Sequence, residues 1–499
     1  MTGVTAATAV RQARTRLTRL LPAAADYRDL RSSWKGDVLA GVTVGVVALP
    51  LALAFGISSG VGAAAGLITA VIAGLVAAVF GGSHVQVSGP TGAMAVILAP
   101  IVAAHGLGSI ALVTVLAGLI VLVAGAVGLG RAVTFIPWPV IEGFTLGIAV
   151  IIFLQQVPAA FGTTTPAGER TLPAAVDVVI HADWPVALRT LGVVALVAVL
   201  MVGLPRIHRG IPESLTAVVV ATVAVLVLHV DVARIGELPS HLPAPVLPHV
   251  DPSALSSLLG AALAIAALAA IESLLSARVA ATMSPTGPYD PDRELTGQGL
   301  ASVASGMFGG MPATGAIART AVNVRSGART RLSAIVHALF LLGVVYLATG
   351  PVAEIPLAAL SGVLMVTCFR MISASTIRKI VRSTRSDAVI FVVTAVITVT
   401  FDLIEAVQIG IVVAAFFALR QVAKRSSVTR EPIPGPPRRG DEQIALLRLD
   451  GAMFFGAAER ISSTISAGAG NSTVTVVVIR MSHLGLSLIH ISEPTRLGM

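Results

Sequence analysis

Two short stretches of this 499-residue chain carry residue types in an order that could hold an anion. Pro90-Thr91-Gly92-Ala93-Met94-Ala95 and Ala313-Thr314-Gly315-Ala316-Ile317-Ala318 agree at four of six positions. Each lies in an apolar segment broken by Gly, Pro and Ser, and each is the third crossing of its half if the chain divides near Asp251. Interrupted helices at matching places in two halves are the pattern of transporters built from inverted repeats, with substrate at the membrane midplane. A helix that begins inside a membrane leaves its first N–H groups without intrahelical partners, and its dipole places about half a positive charge there. Two such ends facing each other would make an anion site. Gly89-Pro90 and Met311-Pro312 are expected to start the two half-helices, because proline needs no N–H in a first turn. The competing expectation is that these glycines serve only close helix packing.

Charged residues inside apolar runs are the next candidates. Glu272 sits in Leu255–Ala277 with only uncharged residues before it in that run. A carboxylate at the centre of a span costs about 2.5–3.5 kcal/mol, so it is expected to exchange a proton or accept Na⁺. Ser273 and Ser276 would complete a cation shell or bond to their own helix backbone. The alternative for Glu272 is a pair with Arg278 near the cytoplasmic end. Arg319 directly follows the second motif (AIART) and either adds a full positive charge to that helix end or reaches the cytoplasmic surface with Arg325. Glu142 reads as a structural polar contact, and Asp402 with Glu405 as a turn. His84, His105 and His337 lie far apart with no carboxylate or Cys at ligand spacing, so no metal site is expected. No G-x-S-x-G, Walker loop or Ser/His/Asp grouping stands in a suitable context, which argues against an ATP-driven pump and a membrane hydrolase.

The elements that must position these residues follow from composition. Hydrophobic residues make up 55% of the chain and charged ones 12%, with a mean hydropathy of +0.90. Soluble chains carry about 25% charged residues, and 48 glycines with 28 prolines in apolar sequence fit neither a coiled coil nor a disordered chain. An all-α, many-span membrane protein fits. The clearest runs are Val38–Ile57, Val61–Phe80, Ile110–Gly128, Val140–Val157, Val186–Leu204, Ser214–Val230 and Leu255–Ala277. Leu332–Thr349, Ile355–Phe369, Ala388–Thr400 and Ala406–Ala418 follow, and Val85–Ala104, Leu295–Phe308 and Met311–Val324 are interrupted. Together they predict about fourteen crossings or partial crossings. Basic clusters at Arg11–Arg19, Arg206/Arg209, Arg325–Arg331, Arg370–Arg385 and Arg420–Arg430 predict the cytoplasmic face, with both termini there. The net charge of +9 therefore reports topology; short basic loops and 4% aromatics give no sign of nucleic acid. The first apolar stretch is too long for a secretory signal and lacks a cleavage site. A single cysteine, Cys368, excludes a disulfide framework within this chain.

After the spans, Arg430–Gly440 (REPIPGPPRRG) reads as a linker. Ile444–Leu449 then predicts a strand, Met453–Ile465 a short helix and Thr473–Met481 a second strand, the opening of a small α/β domain. Leu486–Arg496 (LSLIHISEPTR) reads as the translation of a sequencing-library adapter, with the natural frame expected to end near Gly485.

The runs GVTVGVVALPLALAFGISSG (Gly41–Gly60), FGGSHVQVSGPTGA (Phe80–Ala93), FIPWPVIEGFTLGIAV (Phe135–Val150) and GGMPATGAIARTAVNVRSGARTRLSAI (Gly309–Ile335) resemble the sulfate permease (SulP) family. The resemblance spans about Asp37 to Gly485. It implies an arm (1–36), a transporter domain (37–424) of two inverted seven-segment repeats (about 37–231 and 252–424), and a linker (425–440). A truncated STAS-like domain (441–485), to which LDGAMFFGAAE is similar, and a non-native tail (486–499) complete the division. A core domain would move against a gate domain in what is usually a homodimer in the cell membrane. Carried over by position, the anion would sit between Ser88-Gly89-Pro90-Thr91 and Ala313-Thr314-Gly315-Ala316, with Phe55 nearby and Arg319 at the site. Glu272, with Ser276, would be the coupling group; no cofactor is implied, and Na⁺ is a candidate coupling ion. The family often has Gln after the first-span proline where Leu51 stands here, so one polar contact to substrate is missing. The expected function is H⁺- or Na⁺-coupled transport of a small inorganic anion, sulfate or bicarbonate class, by alternating access. An uncoupled channel or exchanger, or a nucleobase-type transporter of the same architecture, stays open.

Overall fold

The computed structural model describes residues 20–400, 409 and 427–487, except 28, 132–137, 164–170, 208–211, 249–251, 285, 373, 384, 434–435, 437–440 and 454–473. The chain forms two compact units, Met1–Gln408 and Ile409–Met499.

In the first unit, long apolar runs become helices because only intrahelical hydrogen bonding satisfies a backbone in lipid. They are α1 (Leu30–Ser58), α2 (Ala63–Phe80), α3 (Gly92–His105), α4 (Gly108–Val127), α5 (Trp138–Ala160), α6 (Thr171–Ile180), α7 (Trp184–Ile207) and α8 (Glu213–Val227). After the loop come α9 (Pro252–Met283), α10 (Pro291–Met307), α11 (Ile317–Arg325), α12 (Leu332–Leu347), α13 (Thr349–Ala353), α14 (Leu357–Met371), α15 (Ala374–Ser383) and α16 (Arg385–Thr400). Seven helical stretches among the described residues are long and apolar enough to cross a membrane, and five shorter apolar helices accompany them. The fold is thus a helical, multi-pass membrane architecture.

Two strands of two residues interrupt the helices: β1 (Ser88–Gly89) before α3 and β2 (Thr314–Gly315) before α11. They pair antiparallel, Ser88 opposite Gly315 and Gly89 opposite Thr314. This pairing corrects the expected helix starts. Thr91 and Ala316 are the N-caps, and both are extended. Pro312 therefore precedes a strand rather than opening a helix, because the intervening backbone spends its hydrogen bonds across the β1–β2 pair. A second correction concerns Leu295–Phe308, expected as interrupted. Its residues up to Met307 lie within α10, an unbroken helix that Asp290 caps by accepting from Asp292 N (3.0 Å) and Arg293 N (3.1 Å), with Pro291 in the first turn and Phe308 as the C-cap.

Helices from both halves of the chain share each bundle. α4 packs on α10 and α9, α2 on α10 and α12, and α1 on α12; α5 packs on α14 and α16, and α7 on α8 and α14. Small residues permit the closest crossings: a Cβ at Gly299 would stand 2.4 Å from Leu122 N, and one at Gly118 would stand 2.7 Å from Val303 N. Asp37 ties α1 to the start of α12 by accepting from Arg329 N (2.7 Å), Thr330 N (3.0 Å), Thr330 Oγ1 (2.7 Å) and Ser33 Oγ (2.7 Å).

The second unit contains a sheet of β3 (Ser427–Glu431), β4 (Ile444–Met453) and β5 (Val476–Ser487) in the order β3-β4-β5. β3 and β4 run antiparallel and β4 and β5 parallel. Parallel neighbours need a connection of a dozen or more residues, and β4 and β5 are that far apart in the sequence. Three expectations change. Residues 427–431 of the expected linker are strand, Met453 ends β4 instead of starting a helix, and β5 continues to Ser487. The rest of the expected helix lies outside the described residues, as do Asp402, Glu405, Ala406–Ala418 apart from residue 409, and the tail beyond residue 487.

Candidate functional site

The β1–β2 pair brings the two repeated motifs edge to edge, with Ala316 N donating to Val87 O at 2.9 Å. Neither helix end is closed by a side chain, so the first-turn amides of α3 and α11 remain available. Thr91 is of a type that commonly caps by accepting from the backbone, yet its hydroxyl is turned elsewhere: it donates to Glu272 Oε2 at 3.0 Å. Thr314 Oγ1 donates to the same oxygen at 2.8 Å and lies 3.3 Å from Thr91 Oγ1. One carboxylate oxygen on α9 thus joins the strand-and-cap residues of both halves.

Arg319, in the first turn of α11, is 2% exposed. Its Nη2 donates to Pro90 O at 2.6 Å, whereas the buried Nη1 has no partner among the described residues. A Cβ at Gly89 would meet that Nη1 at 2.7 Å, and Gly89 has φ +153°. Glycine there is what lets the guanidinium approach the first motif. Arg319 therefore does not reach the surface with Arg325, and Glu272 bonds the two threonines, with no ion pair to Arg278 among the described residues.

The other expected residues distribute as follows. Ser88, Thr91, Thr314, Ala313 and Ala316 are all buried. Phe55 on α1 lies beside α3, its Cε1 3.2 Å from where a Cβ on Gly92 would stand; Ile152 on α5, which sequence reasoning missed, lies against the same point. Ser273 Oγ accepts from Gly315 N at 3.1 Å. Ser276 contacts Thr320 Oγ1 at 3.3 Å instead of Glu272, and Thr320 in turn accepts from Val87 N at 3.0 Å. Ser276 thus supports the β1–β2 pair from behind. No cluster of three His, Cys, Asp or Glu side chains able to hold a metal occurs among the described residues.

Behind β1 lies a polar group that sequence reasoning did not single out. Glu294 Oε2 accepts from Gly82 N (2.8 Å) and Ser83 N (3.1 Å), and its Oε1 from Gln86 Nε2 (2.9 Å) and Gln298 Nε2 (3.0 Å). Gln298 Nε2 also donates to Ser88 Oγ. The signal was present: DRELTGQG (Asp292–Gly299) is a polar run on a segment that must pack among apolar helices. Next to it, outside the spans, Arg293 makes two hydrogen bonds to Asp26 (3.0 and 2.7 Å), with Arg331 at 4.0 Å. Burial lifts the Asp26 carboxyl, but the Arg293 hydrogen bond, the Ala23 N–H and the charge of Arg331 outweigh it and hold the group at about 2.

A multi-pass helical protein with two crossings broken by paired strands, a threonine from each motif donating to one carboxylate and a buried guanidinium held against the first motif, has the architecture of a membrane transporter. The chain belongs to the sulfate permease family, whose model matches residues 34–394. A permease moves solutes across membranes; the chain is a transporter and not an enzyme. It is 34% identical over 457 residues to the Bacillus subtilis (strain 168) protein named "Putative sulfate transporter YvdB", covering 89% of this chain and 84% of that one. It is also 34% identical over 480 residues to the bicarbonate transporter BicA of Synechocystis sp. (strain ATCC 27184 / PCC 6803 / Kazusa), covering 91% and 84%. The solved transmembrane domain of a cyanobacterium bicarbonate transporter BicA superimposes with a TM-score of 0.69 at 35% identity, over 76% of this chain and 98% of that one. SLC26A9 shares the fold, with a TM-score of 0.82 at 17% identity over 96% and 85% of the two chains.

Proposed function

We propose that this protein is a secondary active transporter of a small inorganic anion, of the sulfate or bicarbonate class, coupled to H⁺ or Na⁺ through Glu272. The anion lies between Ser88–Thr91 and Ala313–Ala316, against the open amides of α3 and α11, with Arg319 supplying the balancing charge and Phe55 on the approach. The observation that carries the reading is the sharing of Glu272 Oε2 by Thr91 and Thr314. An ionised carboxylate only accepts, so both hydroxyl protons point at it. A proton or Na⁺ on Glu272 satisfies that oxygen and frees the two hydroxyls to donate to the anion beside them. Cation and anion then favour each other's binding, which is reciprocal coupling. Alternating access follows from movement of the α1–α4/α9–α12 bundle against the α5–α8/α14–α16 bundle.

The end of the protein where Asp26, Arg293 and Arg331 meet is basic, as is α15 with Arg378, Lys379 and Arg382. The positive-inside rule puts these in the cytoplasm of a cell-membrane protein, the N-terminal arm with them; both termini are assigned there, and the working unit is a homodimer. The test is uptake of labelled sulfate and bicarbonate into proteoliposomes under imposed H⁺ and Na⁺ gradients. One of the two anions accumulates against its own gradient and loses that accumulation when the cation gradient collapses. Currents that ignore both gradients would instead identify an uncoupled channel.

A further inference from the structure

We propose that Glu294 is the positioning residue of the anion site, holding the β1–β2 pair in register through Gln86 and Gln298. The inference rests on the anion reading above for what that pair binds. Glu294 is 1% exposed, and its two oxygens receive four N–H donors: the amides of Gly82 and Ser83 and the side chains of Gln86 and Gln298. The two backbone amides donate whatever the side chains do, and with both glutamines turned nitrogen-first the carboxyl receives donors only, the pattern of an ionised acid. That charge in turn orients both glutamines. The cost is visible, for both amide oxygens, Gln86 Oε1 and Gln298 Oε1, are buried without partners among the described residues. Buried orphan acceptors are retained where the arrangement is needed for something else.

What the arrangement secures is the site. The second N–H of Gln298 goes to Ser88 Oγ, which fixes β1 from behind and leaves the Ser88 hydroxyl proton to donate elsewhere. Gln86 Nε2 packs so tightly on Gly315 that a Cβ there would stand 1.8 Å away, which fixes β2. Gly82 and Ser83 anchor the loop that leads from α2 into β1. One carboxylate on α10 thereby sets the separation of the two helix ends that face the anion, without touching the anion.

Three variants and two measurements test this. In flux assays normalised to folded protein, Glu294→Gln and Gln298→Leu raise the KM for the transported anion about tenfold or more, while retaining a measurable maximal rate. Ser88→Ala and Gln298→Leu are non-additive in KM, since both break the same link. In hydrogen-exchange measurements on the full chain, Glu294→Gln accelerates exchange at 82–91 and 313–316 and leaves α7 and α14 unchanged. An unchanged KM in folded Gln298→Leu, strict additivity with Ser88→Ala, or unchanged exchange at 82–91 would overturn the proposal. The exchange measurement needs no transport, so failure of the wild-type protein to move any anion would sink the functional reading alone. If Glu294→Gln does not fold, Gln298→Leu, which leaves the carboxylate and three of its donors in place, decides the matter.

Discussion

Thr91 and Thr314 each give their one hydroxyl proton to Glu272, and the coupling account stands on that choice. Glu272→Gln keeps the shape of the side chain but can no longer gain or lose a proton. It is expected to abolish gradient-driven anion accumulation and leave some anion exchange; accumulation equal to wild type would remove Glu272 from the mechanism. A second prediction concerns Asp26. Its carboxyl, held at about 2 against an ordinary 3.8, contributes stability that is present above the ordinary value and lost as pH falls through about 2. Thermal unfolding scans between pH 5 and pH 2 should show that loss in the wild type, and a smaller one in Asp26→Asn. Asp26→Ala leaves Arg293 and Arg331 buried without their counter-ion and should cost about 3–5 kcal/mol at neutral pH. Glu272 and Arg319 were legible in the sequence because a lone charge in a long apolar run announces its own cost. Their partners were not: Thr91 lies 181 positions from Glu272, and nothing local marks a threonine as donor to a distant acid. Glu294 was missed because the apolar run was taken to begin at Leu295, one residue after it.

Helix positions were largely visible from apolar runs, because a bilayer imposes length and composition directly. Helix starts at the site were not, since prolines suggested starts that tertiary strand pairing overrode; the pairing of Ser88 with Gly315 joins residues from opposite halves of the chain. The short α6 and the amphipathic α15 also escaped a search for apolar runs of spanning length. At this scale two substitutions are diagnostic. Gly89→Ala pushes a methyl into Arg319 Nη1 at a backbone angle that favours glycine, and is expected to reduce transport severely and to lower the melting temperature. Gly299→Val forces α10 away from Leu122 and Gly118 of α4, and should cost at least about 1–3 kcal/mol, read as a lower melting temperature in detergent. Unchanged melting of Gly299→Val would mean that these helices do not approach as closely as described.

For the whole molecule, segments from both halves contribute to each bundle: α1–α4 meet α9–α12, and α5, α7 and α8 meet α14 and α16. That exchange is what places α3 and α11 end to end, and it is the reason a repeat of six residues could point to the site at all. On the proposed function, a transported anion rests between those two helix ends. Electron cryo-microscopy of the reconstituted protein, with the anion that flux assays identify at saturating concentration, tests it directly. Density for the anion within hydrogen-bonding distance of the first-turn amides of α3 and α11, beside Thr91, Thr314 and Arg319, is the result predicted. Density at any other place along the transport path, with those amides and the Arg319 guanidinium left untouched, would contradict it.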